Sequence, residues 1–251
     1  MDLFSLEGKI ALVTGCAGGI GAGLASGLAK AGADIVAVDR ADLSETAEKI
    51  HALGRACHCV EADLSTQEGV GKAWESAVVA AGKIDILCNN AGMQHRESIL
   101  TYPQEVLDKV LAVNLKAPYD LAQKAARHFI ARGCRGKIIN TASLFTSFGG
   151  VEVSGYTCSK HAILGLTRAL SNELSGKGIC VNAIAPGYVE TELTRAIWSD
   201  PVRRAPMDER LPIGRWGRPE DFEGVAVFLA SAASDYITGV MIPVDGGYSA
   251  R

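Results

Sequence analysis

The sequence predicts an α/β fold, a single-domain doubly wound parallel sheet of seven strands with helices on both faces. Three observations lead there. Seven short apolar runs alternate with longer stretches of helical period. The runs are nearly continuous in Val, Ile and Ala, as strands covered on both faces must be. No linker, repeat or low-complexity stretch divides the chain, so residues 1–251 read as one domain.

In order, the strand candidates are KIALVT, ADIVAVD, ACHCVEAD, KIDILCN, GKIINTAS, GICVNAIAP and GVMIPVD. Helical stretches near 19–32, 43–53, 66–81, 103–132, 154–176 and 219–233 separate them. The stretch 103–132 repeats Val106, Val110, Val113, Ala117 and Leu121 on one face. Leu107, Leu111 and Phe129 broaden that stripe beyond what one sheet needs. Between Tyr188 and Pro212 lies a stretch with Trp198, Pro201, Arg203, Arg204, Pro206 and Met207, too long for an ordinary connection. It reads as a lid at about 188–213.

Charge narrows the partners. With 25 basic against 28 acidic residues and a net charge of -3, the chain shows no footprint for nucleic acid or an anionic membrane, and a small-molecule substrate is favoured. The N-terminus MDLFSLEGKIALV has no leader pattern, and no apolar run approaches the roughly 18 residues of a spanning helix, so a cytoplasmic protein is expected. Seven cysteines, an odd count, fit reduced thiols better than disulfides. In Cys57-His58-Cys59 strand alternation points the imidazole away from both thiols, and no second ligand pair follows at a zinc spacing; no metal is expected.

The chemistry gathers at four places. In LVTGCAGGIG a strand breaks into Gly15, Gly18, Gly19 and Gly21, with Ala17 and Ile20 between them. Such a turn lets backbone approach a pyrophosphate at a helix N-terminus. Asp39 ends the next strand 20 residues beyond Gly19, where a carboxylate can accept from ribose hydroxyls and repel a 2′-phosphate. Arg40 could instead pair with that phosphate, but the charge balance favours NAD, with NADP the less fitting cofactor. In YTCSK, Tyr156 and Lys160 are one helical turn apart, so the ammonium is expected to lower the pKa of a phenol placed for acid/base work. Ser143 ends a strand thirteen residues earlier, at the sheet edge where ligands bind, and its hydroxyl can hold a substrate oxygen. Finally, a helix through Asn114 would need an N–H from Pro118, which has none. The Asn114 carbonyl is left to hold a water that relays protons, or Pro118 simply kinks the helix.

These stretches resemble the short-chain dehydrogenase/reductase family along essentially the whole chain. The landmarks are TGCAGGIG, Asp63-Leu64, NNAG at 89–92, VNL at 113–115, Ser143, YTCSK and APGYVET at 185–191. The resemblance implies a Rossmann fold in which Tyr156 gives or takes a proton, Ser143 positions the substrate oxygen, Lys160 binds the nicotinamide ribose, and Asn114 is the fourth catalytic residue. It also implies that Asp63 and Leu64 hold the adenine, that Asn90, Ala91 and Gly92 lie against the adjacent ribose, and that Pro186, Gly187, Val189 and Thr191 hold the carboxamide. A homotetramer is the implied assembly.

A closer resemblance, carried by LFSLEGKIALVTGC, HFIARGCRGKIIN, LPIGRWGRPED and FLASAASDYITGVMIPVDGGYSAR, is to the subgroup of 2-deoxy-D-gluconate 3-dehydrogenases, or 2-keto-3-deoxygluconate oxidoreductases. That implies an anionic sugar acid as substrate, with Arg96, Arg203 and Arg204 as candidates for its carboxylate. The chain departs from the subgroup at His95, where a second arginine is expected, and around Ser154. Two rivals share the pattern. A 3-oxoacyl-carrier-protein reductase would need a basic docking surface, for which Lys124, Arg127, Arg132 and Arg135 are available, and Asp39 argues against it. An inactive dinucleotide-binding scaffold would not need Asn114, Ser143, Tyr156 and Lys160 intact.

Overall fold

The computed structural model describes residues 3–250. Its seven strands are β1 (Ile10–Thr14), β2 (Asp34–Asp39), β3 (Cys57–Glu61), β4 (Ile86–Asn89), β5 (Gly136–Thr141), β6 (Ile179–Pro186) and β7 (Met241–Val244). All are parallel, in the order β3-β2-β1-β4-β5-β6-β7. Each of the seven apolar runs read from the sequence becomes one strand. The chain starts in the middle of the sheet, builds outward to β3, then returns to pair β4 with the free side of β1. Connections leave β1 and β4 toward opposite faces, which opens a crevice beyond their C-terminal ends at Thr14 and Asn89.

Alternation along the strands feeds two cores. Ala11, Val13, Ile35, Ala37, Ile86 and Cys88 face one side, under α1 (Gly19–Lys30), α2 (Ser44–Ala52) and α9 (Glu223–Ala230). Leu12, Val36, Val38, Leu87 and Ile138 face the other, under α3 (Gln67–Ala81) and α5 (Ala117–Ala131). Since both faces are covered, every strand position can be apolar, and each buried Leu or Ile contributes about 1.5–3 kcal/mol. Local signals set the helix ends. In α3 the Thr66 hydroxyl accepts from the Gly69 N–H at 3.0 Å, and Gly82 closes the helix in the left-handed region at φ 74°.

The stretch 103–132 is not one helix. It runs as α4 (Gln104–Leu111), a π-helical turn over Ala112–Lys116 and then α5. The cause is the one the sequence offers: Pro118 has no N–H for the Asn114 carbonyl, and the ladder widens by one residue there. The helical stripe is also narrower than its composition suggests. Phe129 is not surplus but fully buried in the core beside Leu121 and Ala125, because the last turn of α5 rolls it onto β5. The exposed apolar residues of α5 are instead Tyr119 and Ile130.

After β6 the chain forms a 3-10 turn (Glu192–Thr194), α7 (Arg195–Trp198) and α8 (Pro201–Asp208) before returning to the sheet. Asp200 caps α8 through the N–H groups of Val202 and Arg203. A bridge between Val189 and Gly217 ties the two ends of this segment together. The remaining long helix, α6 (Ser154–Leu174), carries the YTCSK residues against β5 and β6. Among the described residues, no helix is long and apolar enough to cross a membrane, and no His/Cys/Asp/Glu group has a geometry for metal. The seven cysteines are free thiols, and Cys158 is exposed on α6.

Candidate active site

A cleft of about 720 Å³ opens at the C-terminal ends of β1, β4, β5 and β6, within the range of small-molecule sites. One end is the glycine turn. Gly15 sits at φ +69°, and a Cβ there would stand 2.8 Å from the Ala91 Cα. At Gly21 a Cβ would stand 1.9 Å from the Gly15 carbonyl oxygen, so only glycine lets α1 begin there. The N-terminus of α1 has no side-chain cap and no acidic residue in its first turn. Its free N–H groups and dipole therefore face the cleft with nothing of the protein's own to satisfy them, which fits a pyrophosphate.

Asp39 stands beside this turn with more duties than its sequence position suggests. One carboxylate oxygen accepts from the Ala17 N–H at 3.0 Å, and the other from the N–H groups of Arg40 and Ala41 at 2.7 and 3.1 Å. The carboxylate thus braces the glycine turn as well as facing the cleft. Arg40 lines the cleft too, with its side chain toward solvent. Asp63 and Leu64 lie outside the cleft: hydrogen bonds from Ser65, helped by Arg40, hold the Asp63 carboxyl below its usual range, and Leu64 is packed in the core. Asn90 fastens β4 to β1, its amide donating to the carbonyls of Thr14 and Gly15.

The other end holds the titratable groups. Ser143 starts a 3-10 turn, where its side chain accepts from the Phe145 N–H at 3.2 Å, and its hydroxyl acts to lower the pKa of the Tyr156 phenol. Tyr156 and Lys160 lie on one face of α6, with the Lys160 Nζ 5.6 Å from the phenol ring centroid. Burial dominates both. It raises the phenol above its ordinary value, against the opposing effect of Ser143, and lowers the ammonium to about 8. The Lys160 Nζ donates to the Thr141 carbonyl at 2.6 Å, which fixes the ammonium beside the phenol.

Asn114 does not line the cleft. Its side chain clamps the backbone of Met93 from both sides, accepting from the N–H at 2.8 Å and donating to the carbonyl at 3.0 Å. The same amide donates to the Ser159 hydroxyl at 3.0 Å, which in turn donates to the Tyr156 carbonyl at 2.7 Å. A rigid line therefore joins the π-turn to the helix bearing Tyr156. Ser159 and Thr141 are absent from the residues singled out in the sequence. Only the position of Ser159 inside YTCSK, facing back one turn, hints at it.

The three arginines separate. Arg96 lines the same cleft as Ser143 and Tyr156, and its neighbour is anchored by the Glu97 N–H donating to the Glu152 carbonyl at 2.9 Å. Arg203 lies 3.5 Å from Asp200. Arg204 binds Asp208 at 3.0 Å and lies over the Trp216 ring at 5.5 Å. Neither of these two lines the cleft.

A family model described as Enoyl-(Acyl carrier protein) reductase matches residues 15–249. The 2-dehydro-3-deoxy-D-gluconate 5-dehydrogenase of Escherichia coli is 47% identical, over 100% of this chain and 99% of its own. The chain belongs to the short-chain dehydrogenase/reductase family. It is accordingly an oxidoreductase dependent on a nicotinamide dinucleotide. Two solved members of the family superimpose closely. An Agrobacterium tumefaciens protein named as a candidate 2-deoxy-D-gluconate 3-dehydrogenase, with NADP bound, is 44% identical with a TM-score of 0.94, and both chains are covered by 100%. A gluconate 5-dehydrogenase of Burkholderia cenocepacia in complex with NADP and tartrate is 39% identical with a TM-score of 0.93, over 100% of this chain and 98% of that one. NADP in both neighbours corrects the expectation that it is the less fitting cofactor. The physical reason is at hand in Arg40, beside an Asp39 already occupied with backbone N–H groups.

Proposed function

We propose that this short-chain dehydrogenase/reductase interconverts a secondary hydroxyl and a ketone on a deoxy or keto sugar acid, of the type of 2-dehydro-3-deoxy-D-gluconate. The observation that carries this reading is Arg96, an exposed guanidinium that lines the same cleft as Tyr156 and Ser143. A six-carbon acid with its reacting carbon at Tyr156 extends its carboxylate toward that side chain. The names of the relatives, which act on such acids, agree. The carrier-protein reading loses ground, because Lys124, Arg132 and Arg135 are engaged with Asp120, Asp85 and Asp235.

A bound nicotinamide supplies or accepts the hydride. The chain's own part is to place the substrate and move a proton. Ser143 orients the substrate oxygen, and Tyr156 donates its phenolic proton in reduction or takes the hydroxyl proton in oxidation. Lys160 and the Asn114 carbonyl connect that phenol to solvent. The segment 188–213 closes over the substrate, and the assembly is a cytoplasmic homotetramer built on the outer faces of α5 and α6.

The pH dependence follows from burial. A phenol raised above about 10 is protonated at neutral pH, so reduction needs no prior ionisation and stays level until alkaline pH. Oxidation needs the phenolate, and its rate is expected to climb between pH 7 and 9 by as much as about tenfold per unit. Initial rates in both directions measure this, and an oxidation profile flat over that range contradicts the role of Tyr156.

Asp39→Ala tests the cofactor end. Loss of a charged acceptor costs about tenfold or more in binding, and loss of repulsion offsets that only for the phosphorylated cofactor. NAD is therefore expected to bind about tenfold more weakly while NADP changes less, as read by quenching of protein fluorescence. Unchanged dissociation constants for both would take Asp39 out of the site.

The function itself is tested by following dinucleotide absorbance with purified protein against sugar acids, acyl thioesters and neutral polyols. Sugar acids are expected to have the highest kcat/KM. Preference for a thioester would favour the carrier-protein reading, and no turnover with any of the three the inactive scaffold.

A further inference from the structure

Thr146 closes the 3-10 turn Leu144–Thr146 that Ser143 begins. It stands behind the cleft wall, 4% exposed, and is not among the residues that line the cleft. Its hydroxyl is used twice. The oxygen accepts from the Ser143 N–H at 3.2 Å, and the proton goes to the Lys160 carbonyl, also at 3.2 Å. One buried hydroxyl therefore joins the main chain of the residue assigned to the substrate oxygen to the main chain of α6, which carries Tyr156 and Lys160.

A turn of three residues does not require this. Closure comes from the Thr146 N–H donating to the Ser143 carbonyl at 2.9 Å, and the cap from the Ser143 hydroxyl accepting from the Phe145 N–H at 3.2 Å. Nor does α6 require it, because Lys160 lies in mid-helix, where a carbonyl already has the N–H four residues on. What the bond adds is a fixed spacing between the turn and α6. A second attachment works from the other side of Ser143, since the Lys160 Nζ donates to the Thr141 carbonyl at 2.6 Å. That one ends a flexible side chain which also serves the proton path, whereas the Thr146 hydroxyl reaches main chain at both ends. With its oxygen accepting from Phe145, the Ser143 hydroxyl keeps its proton for the substrate oxygen, and where that proton points depends on where the turn sits.

We propose that Thr146 is a positioning residue for the reaction, which sets the Ser143 hydroxyl at its working distance from the Tyr156 phenol by tying the Ser143 main chain to the Lys160 carbonyl. This rests on the roles given above to Ser143 and Tyr156 and adds the residue that fixes their separation. Both bonds are made by Oγ1, so the hydroxyl matters and the methyl does not. Thr146 lies behind the wall, so its loss is felt in turnover and not in binding.

The test is a cycle of Thr146→Val, which keeps the shape and removes the hydroxyl, with Ser143→Ala. It is read by steady-state reduction of 2-dehydro-3-deoxy-D-gluconate and by fluorescence titration of the dinucleotide. Thr146→Val is expected to lower kcat about tenfold to 100-fold, the cost of a catalytic group misplaced by up to about 1 Å, while KM and the dinucleotide Kd change by less than about threefold. Thr146→Ser, which restores the hydroxyl, should return kcat to within about threefold of the unsubstituted protein. In the Ser143→Ala background, Thr146→Val should lower kcat by less than about twofold further, because the group it positions is gone. A merely stabilising residue would not show that dependence on Ser143. Should the valine variant not fold, Thr146→Cys, of similar size with a weak donor and acceptor, takes its place in the same cycle. An unchanged kcat, a full multiplicative loss in the Ser143→Ala background, or an equal loss in Thr146→Ser would overturn the proposal and leave the roles of Ser143 and Tyr156 in place. Undiminished turnover in Ser143→Ala alone would overturn both.

Discussion

Tyr156→Phe is expected to lower turnover at least about 100-fold and to leave dinucleotide binding close to that of the unsubstituted chain. The phenol lines the cleft together with Ser143, which acts to lower its pKa against burial. Phenylalanine keeps the ring, including its edge contact with Phe145 at 6.2 Å. What it removes is the proton, and a lost general acid/base costs about 100-fold to 10,000-fold, or at least about 2.7 kcal/mol of barrier. Binding should hold, because the glycine turn, Asp39 and the N-terminus of α1 lie at the other end of the cleft. Stopped-flow or steady-state rates, paired with a fluorescence titration of the dinucleotide, measure both halves. Turnover within a few fold of the starting protein would remove Tyr156 from the chemistry.

Arg96→Ala should have the second largest effect, and a selective one. KM for a sugar acid is expected to rise between about tenfold and 100-fold, as for a charge-assisted hydrogen bond, while a neutral polyol of the same length changes by less than about threefold. Because the guanidinium is open to solvent, the contact is screened by salt, and KM of the unsubstituted protein should itself increase with ionic strength. Equal changes for acid and polyol, with no salt dependence, would mean that Arg96 shapes the wall and does not read charge.

The sheet is legible because covered strands leave an apolar signature that no surface element shares. Runs such as ADIVAVD and GKIINTAS become β2 and β5 almost residue for residue. The helical period of 103–132 is legible too, but period alone does not locate a break. What locates it is the single missing donor at Pro118, and the π-turn over Ala112–Lys116 lies where that reasoning puts it. Phe129 escapes the stripe argument because a hydrophobic stripe says which residues share a face and not how wide a surface awaits them. Of the candidate site, the glycine turn, Asp39, Ser143, Tyr156 and Lys160 come together in one cleft. Cofactor choice is overdrawn when read from Asp39 alone, because its bonds to Ala17, Arg40 and Ala41 are made by main-chain N–H groups, which carry no sequence signal. The arginines of α8 divide for a reason that spacing contains: Asp208 lies four residues after Arg204 and claims it. The packing of Tyr188 leaves no signal, since its partners Trp216 and Tyr248 are distant in sequence and meet it only once the chain has closed the sheet at β7.

The central claim is direct transfer of hydride between a nicotinamide and a carbon of a sugar acid held at Tyr156 and Ser143. Reduction of a keto sugar acid with dinucleotide deuterated at the reactive carbon of the nicotinamide, followed by mass spectrometry and NMR of the product, tests it most directly. The expected result is one deuteron on the former carbonyl carbon, unexchanged with solvent and placed on a single face. Product without deuterium at that carbon, or keto sugar acid left unreduced while another ketone class is consumed, would contradict it.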